Sequence, residues 1–182
     1  MTKGTGTITS ERRVHVVQGG HGVSADADVC MTTILGSCVS ACLWDPVAGV
    51  GGMNHFLLPE APEGARDDRR YGVQAMELLI NALLGRGARR DRLRAKVFGG
   101  ARMCAAMADI GGRNGAFVQR FLTDENIPLD SASLGGMSAR RIQFWPATGR
   151  ARQHLVDAGD VPSRERALAR PAPAVDGELE LF

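Results

Sequence analysis

Residues 32–59 are the stretch of this chain that leaves the fewest choices of fold. Val39–Asp45 reads as a strand, Pro46-Val-Ala-Gly49 as a tight turn and Val50–Leu57 as the returning strand. Proline presets the turn backbone, and glycine accepts the left-handed conformation that closes it. If Asp45 pairs with Val50, counting along both strands sets His55 opposite Ser40. Ser40 shares a face with Cys38, because side chains on a strand alternate with period two. Cys38 and His55 then become diagonal neighbours on one face, with Cβ atoms ~7 Å apart or less. A slip of one residue would send His55 to the opposite face.

A thiol and an imidazole within reach form a minimal nucleophile and base. A free thiol has a pKa of ~8.5 and is mostly protonated at neutral pH. An adjacent imidazole can take that proton and later return one to a departing amine. Gly36 and Ser37 bend the chain before Cys38, which exposes the sulfur and turns backbone N–H groups toward a developing oxyanion. Thr32 or Thr33 could orient the imidazole, and Asn54 could orient a substrate or cap the strand end. Competing readings make Cys38 a packed core thiol, His55 a satisfied histidine, or Cys38, Cys42 and His55 an irregular zinc site. Cys42, in mid-strand between Ala41 and Leu43, reads as core, and Cys30 and Cys104 read as structural.

Elsewhere the pattern is of mixed elements. Residues 1–28 form a polar N-terminal extension with a possible edge strand at Val14–Val17, and His21 sits in a glycine-rich surface loop. Val73, Met76, Ile80, Leu83 and Leu84 recur at helical spacing, with Asp67 or Asp68 as cap and Gly85 or Gly87 as terminator. Val97-Phe98 suggests a short buried strand ending at Gly99-Gly100. Ala101–Ile110 and Asn114–Asp124 are helix candidates. Ile127–Leu134 reads as a strand, and Arg140–Trp145 with Arg150–Val156 as a hairpin across Pro146–Gly149. Residues 158–182, with Pro, Ala and charge but little periodicity, read as a disordered tail. The catalytic domain is thus expected over 29–157. Strands and helices mix without regular βαβ alternation, which points to α+β with largely antiparallel sheet.

The 182 residues suffice for one domain with a proper core. A formal net charge of +2 gives no field that selects nucleic acid or an anionic membrane. No segment approaches the ~20 apolar residues that span a bilayer, and no secretory signal is evident. A cytoplasmic location, where thiols stay reduced, is therefore expected.

Taken in order, several blocks resemble the CheD family. They are Thr32, Leu35-Gly-Ser-Cys38-Val39, Asp45-Pro46 and Gly51-Gly-Met-Asn-His55-Phe-Leu-Leu-Pro59, then Arg70-Tyr71 and Ala75–Asn81. Lys96–Ala101, Ile110-Gly111, Arg113-Asn114 and Leu134-Gly-Gly136 follow. The resemblance covers roughly residues 29–156. It implies Cys38 as nucleophile, His55 as base and Thr32, six positions before the cysteine, as third member of the triad. It also implies hydrolysis of selected glutamine side chains of bacterial chemoreceptors to glutamate, with activity on glutamyl methyl esters also associated. The partners implied are chemoreceptor cytoplasmic domains and, in some bacteria, a CheC-type phosphatase. No metal or cofactor is required. The fold implied is a layered α/β/β sandwich similar to the catalytic domain of cytotoxic-necrotizing-factor toxins. A transglutaminase sharing the thioester chemistry, or a non-catalytic binding module, remains an alternative.

Overall fold

The computed structural model describes residues 11–58, 66–103 and 109–156. The chain runs β1 (Arg12–His15), β2 (His21–Ser24), β3 (Val29–Leu35), β4 (Val39–Asp45), β5 (Val50–Asn54), α1 (Arg66–Leu84), β6 (Arg94–Gly99), α2 (Ile110–Asp124), β7 (Leu129–Leu134), β8 (Ala139–Trp145) and β9 (Arg150–Val156). These strands form a four-stranded sheet in the order β1-β3-β8-β9 and a five-stranded sheet in the order β2-β5-β4-β6-β7. The β1–β3 and β6–β7 pairs are parallel, and the other pairings are antiparallel. The helices pack on one face of the five-stranded sheet, and the four-stranded sheet covers the other. The expected α+β architecture in three layers is therefore observed.

Central strand β4 shows how the sequence builds this. Its odd-numbered residues Val39, Ala41 and Leu43 enter the core under the helices. The even-numbered Cys42 and Trp44, with Cys38 just ahead of the strand, enter the core between the sheets. A strand apolar on both faces has to be sandwiched. Helix α1 supplies Met76, Leu79, Ile80 and Leu83, all fully buried at helical spacing. Helix α2 begins four residues earlier than expected, because the Asp109 carboxylate accepts from Gly112 N at 2.8 Å and caps it. Of the helix expected over Ala101–Ile110, residues 101–103 are not helical and 104–108, with Cys104, lie outside the described residues. The tail from 158 onward also lies outside them.

The boundary expected at residue 28 is corrected. Arg12–His15 joins the edge of the four-stranded sheet beside β3, and His21–Ser24 joins the edge of the five-stranded sheet beside β5. His21 is thus a strand residue, not part of a surface loop. Short edge strands with one wet face carry little apolar signal, so polarity there does not mark an appendage.

Candidate active site

The hairpin register is the one expected: Asp45 pairs with Val50 and Cys42 with Met53. The same register continues through a bridge between Val39 and Phe56, with reciprocal N–H···O bonds of 2.9 Å. His55 therefore lies level with Ser40, on the sheet face that also carries Cys38 and Cys42. Cys38 is fully buried and His55 nearly so. Phe56, fully buried, meets the Phe117 ring of α2 edge-on at 5.9 Å and anchors the chain just past the histidine.

The loop ahead of Cys38 is held by its carbonyls. Gly36 O accepts from Ala101 N and Cys38 O from Gly100 N, both at 2.8 Å. This close approach needs glycine at position 99, where φ is +113° and a Cβ would overlap the Cys38 carbonyl oxygen. The histidine is held from the other side, where His55 N donates to Gly20 O at 3.0 Å and His55 O accepts from Gly19 N at 2.7 Å.

Across the gap between the sheets, Thr33 Oγ1 lies 2.8 Å from His55 Nδ1 and 2.8 Å from the Val16 carbonyl oxygen. A hydroxyl has one proton to give. The carbonyl can only accept, so the threonine proton goes to Val16, and the hydroxyl accepts from Nδ1–H. That network assigns the neutral ring a lone pair on Nε2, the tautomer that a general base presents to a thiol. The Cys38 thiol and the His55 imidazole thus belong to one sheet, and the Thr33 hydroxyl to the other.

The sequence also matches known proteins over most of its length. Residues 57–154 match the family model described as CheD chemotactic sensory transduction. The probable chemoreceptor glutamine deamidase CheD of Caulobacter sp. (strain K31) is 56% identical over 177 residues, 93% of this chain and 93% of that protein. Its counterpart from Agrobacterium fabrum is 54% identical over 175 residues, 94% of this chain and 97% of its own. This chain belongs to the CheD family. Among solved structures, Neisseria meningitidis protein NMB0706 overlaps 71% of this chain and 61% of its own, with 11% identity and a TM-score of 0.43.

The CheD resemblance assigns the third position to Thr32, and the geometry corrects it. Thr32 Oγ1 donates to Ile142 O at 2.9 Å. It lines an open depression of about 410 Å³ on the outer face of the four-stranded sheet, with His15, Arg141 and His154. Thr33, one residue on, points inward to His55. Asn54 is corrected too. Its Oδ1 accepts from Ala41 N at 2.9 Å and its Nδ2 donates to Ala75 O at 3.2 Å, so it ties β4 and β5 to α1 on the face away from His55. Gly36 and Ser37 form the expected bend, their carbonyls turned toward the β6–α2 connection and α2, but the bend does not expose Cys38, which packs into the core between the sheets.

Cys30, Cys38 and Cys42 carry thiols and form no disulfide. Burial pushes the Cys42 thiol up to about 12 and raises Cys30 as well, so both are poor nucleophiles. Among the described residues, no three His, Cys, Asp or Glu side chains gather closely enough to hold a metal ion, which leaves the zinc reading of Cys38, Cys42 and His55 without support. The sequence reading also missed Asn114, a fully buried side chain on α2 whose amide touches the segments around both Cys38 and His55.

Proposed function

We propose that this chain is a protein-glutamine deamidase acting on chemoreceptor cytoplasmic domains through a Cys38 thioester. The observation that carries the reading is the Thr33–His55 contact, which leaves the basic nitrogen of the ring for the thiol. His55 Nε2 takes the Cys38 proton, and the sulfur attacks the side-chain carbonyl of a glutamine. Backbone N–H groups beside Cys38 hold the oxyanion. His55 then protonates the leaving ammonia as the C–N bond breaks. Water, deprotonated by His55, attacks the thioester and releases glutamate with the thiol restored. The names carried by the relatives, and family membership over most of the chain, support the substrate class.

The reading extends to a CheC-type phosphatase as regulatory partner and to the cytoplasm as the compartment that keeps Cys38 reduced. No helix among the described residues is long and apolar enough to cross a membrane. The test is intact-mass analysis of a chemoreceptor cytoplasmic fragment after incubation. Each converted glutamine adds about one dalton, the difference between amide and acid, and Cys38→Ala abolishes the gain. Unchanged conversion by Cys38→Ala overturns the mechanism.

A further inference from the structure

The three peptides that approach the nucleophile are pinned in the same way, except for one. The Gly36 and Cys38 carbonyls take backbone donors, Ala101 N and Gly100 N. The Ser37 carbonyl, between them, takes a side chain: Asn114 Nδ2 donates to it at 2.8 Å. The same amide accepts through Oδ1 from Leu58 N at 3.0 Å. The two bonds together fix which end of the amide is which, since Leu58 N can only donate and Ser37 O can only accept. Asn114 is fully buried. One side chain thus spans the residue before the nucleophile and the segment just past the base.

The Ser37–Cys38 peptide is trans. In a trans peptide the C=O and the following N–H point in opposite directions across one rigid plane. Holding the Ser37 carbonyl against α2 therefore aims the Cys38 N–H away from α2. It also fixes the plane from which the Cys38 side chain departs. Helix α2 can reach this loop because its first turn is thin. Glycine at 111 packs directly on the Gly100 and Ala101 carbonyls, where a Cβ would overlap them. The cap at Asp109 sets the start of that turn.

Resting on the deamidase reading above, we propose that Asn114 is a positioning residue for the reaction. It sets the Ser37–Cys38 peptide so that the nucleophile's own amide faces the oxyanion as it forms. Asn114 does not touch the reacting atoms. Its effect falls on the acyl-transfer transition state, and not on the thiol's encounter with a simple alkylating agent, which forms no oxyanion.

The experiment compares wild type with Asn114→Asp and Asn114→Ala in the full chain. Asn114→Asp keeps the shape and the acceptor for Leu58 N but sets an oxygen against the Ser37 carbonyl. Asn114→Ala removes both bonds without adding charge. Ammonia release from a chemoreceptor cytoplasmic fragment gives kcat and KM, and iodoacetamide labelling of Cys38 followed by peptide mass analysis gives the alkylation rate. The expected result is a fall in kcat of about 100-fold, the scale of a small misplacement of reacting groups. KM and the alkylation rate stay near wild type, and circular dichroism is unchanged. Wild-type kcat in a folded Asn114→Asp overturns the proposal while leaving the deamidase reading intact. Parallel loss of kcat, labelling and melting temperature in both variants overturns it in favour of a purely structural role. A wild type that releases no ammonia overturns the deamidase reading, and this proposal with it.

Discussion

Replacing Thr33 by valine removes one oxygen at nearly constant shape and tests which threonine serves the histidine. The hydroxyl stands between His55 Nδ1 and the Val16 carbonyl, 2.8 Å from each. Thr33 is 1% exposed, so water does not replace it. Leaving a buried donor or acceptor without its partner costs about 1–3 kcal/mol. If that cost falls on the oriented ring in the transition state, kcat drops about 5- to 150-fold, at 1.36 kcal/mol per factor of ten. Thr33→Ser keeps the hydroxyl and retains most of the activity. Thr32→Val loses only the bond to Ile142 O on the outer face, and changes kcat by less than about twofold, as for other substitutions outside the core. The assay is mass gain of a receptor fragment at saturating substrate, with melting temperatures measured in parallel so that turnover is compared well below unfolding. A larger loss in Thr32→Val than in Thr33→Val refutes the reasoning, because it would mean that the inward-facing hydroxyl does not orient the base.

Three other outcomes are expected. Truncation to residue 29 strips β1, β2 and the Gly19–Gly20 clamp on His55, and should abolish deamidation; full turnover by the truncated chain, measured as ammonia release, would contradict the described fold. Iodoacetamide near neutral pH should label Cys38, with His55→Ala slowing it, and should spare Cys42, whose thiol burial pushes up to about 12; equal labelling of both would count against the site. Asp45 is opposed by burial, but bonds from Arg89 N, Ala48 N, Arg92 and Val47 N outweigh it and hold its carboxyl at about 2, below the usual 3.8. A carboxylate depressed on folding stabilises fully above its unfolded pKa. About 2 kcal/mol should therefore be lost as pH falls from about 4 to about 2, and Asp45→Asn should flatten that part of the acid-unfolding curve.

The sequence made the Cys38–His55 relation legible because a short turn with proline and glycine sets the register of its own hairpin. Asp45 and Val50 are five residues apart, and no distant contact is needed to pair them. Asn54 could have been excluded by the same logic: neighbours on a strand face opposite ways, so a residue adjacent to an inward His55 cannot share its pocket. The choice between Thr32 and Thr33 was of another kind. It depends on which face of β3 meets the five-stranded sheet, and that is decided by how two sheets pack. Asn114 was harder still: it stands in a block that resembles the CheD family, but it contacts a carbonyl 77 positions away, which no local pattern reveals. The N-terminal strands were misjudged because each has only four residues, of which β1 buries none and β2 one.

The division of the site between two sheets makes activity a report on tertiary assembly. Each hairpin can form its own hydrogen bonds while the sheets remain undocked, as in compact states that keep secondary structure but lose fixed packing. In such a state Cys38 and His55 share a strand pair, yet the hydroxyl that selects the ring tautomer is elsewhere. A chain still folding thus carries a thiol and an imidazole without the hydroxyl that holds the ring. On the reading proposed above, hydrolysis of a glutamine side chain therefore waits until the sheets close on each other.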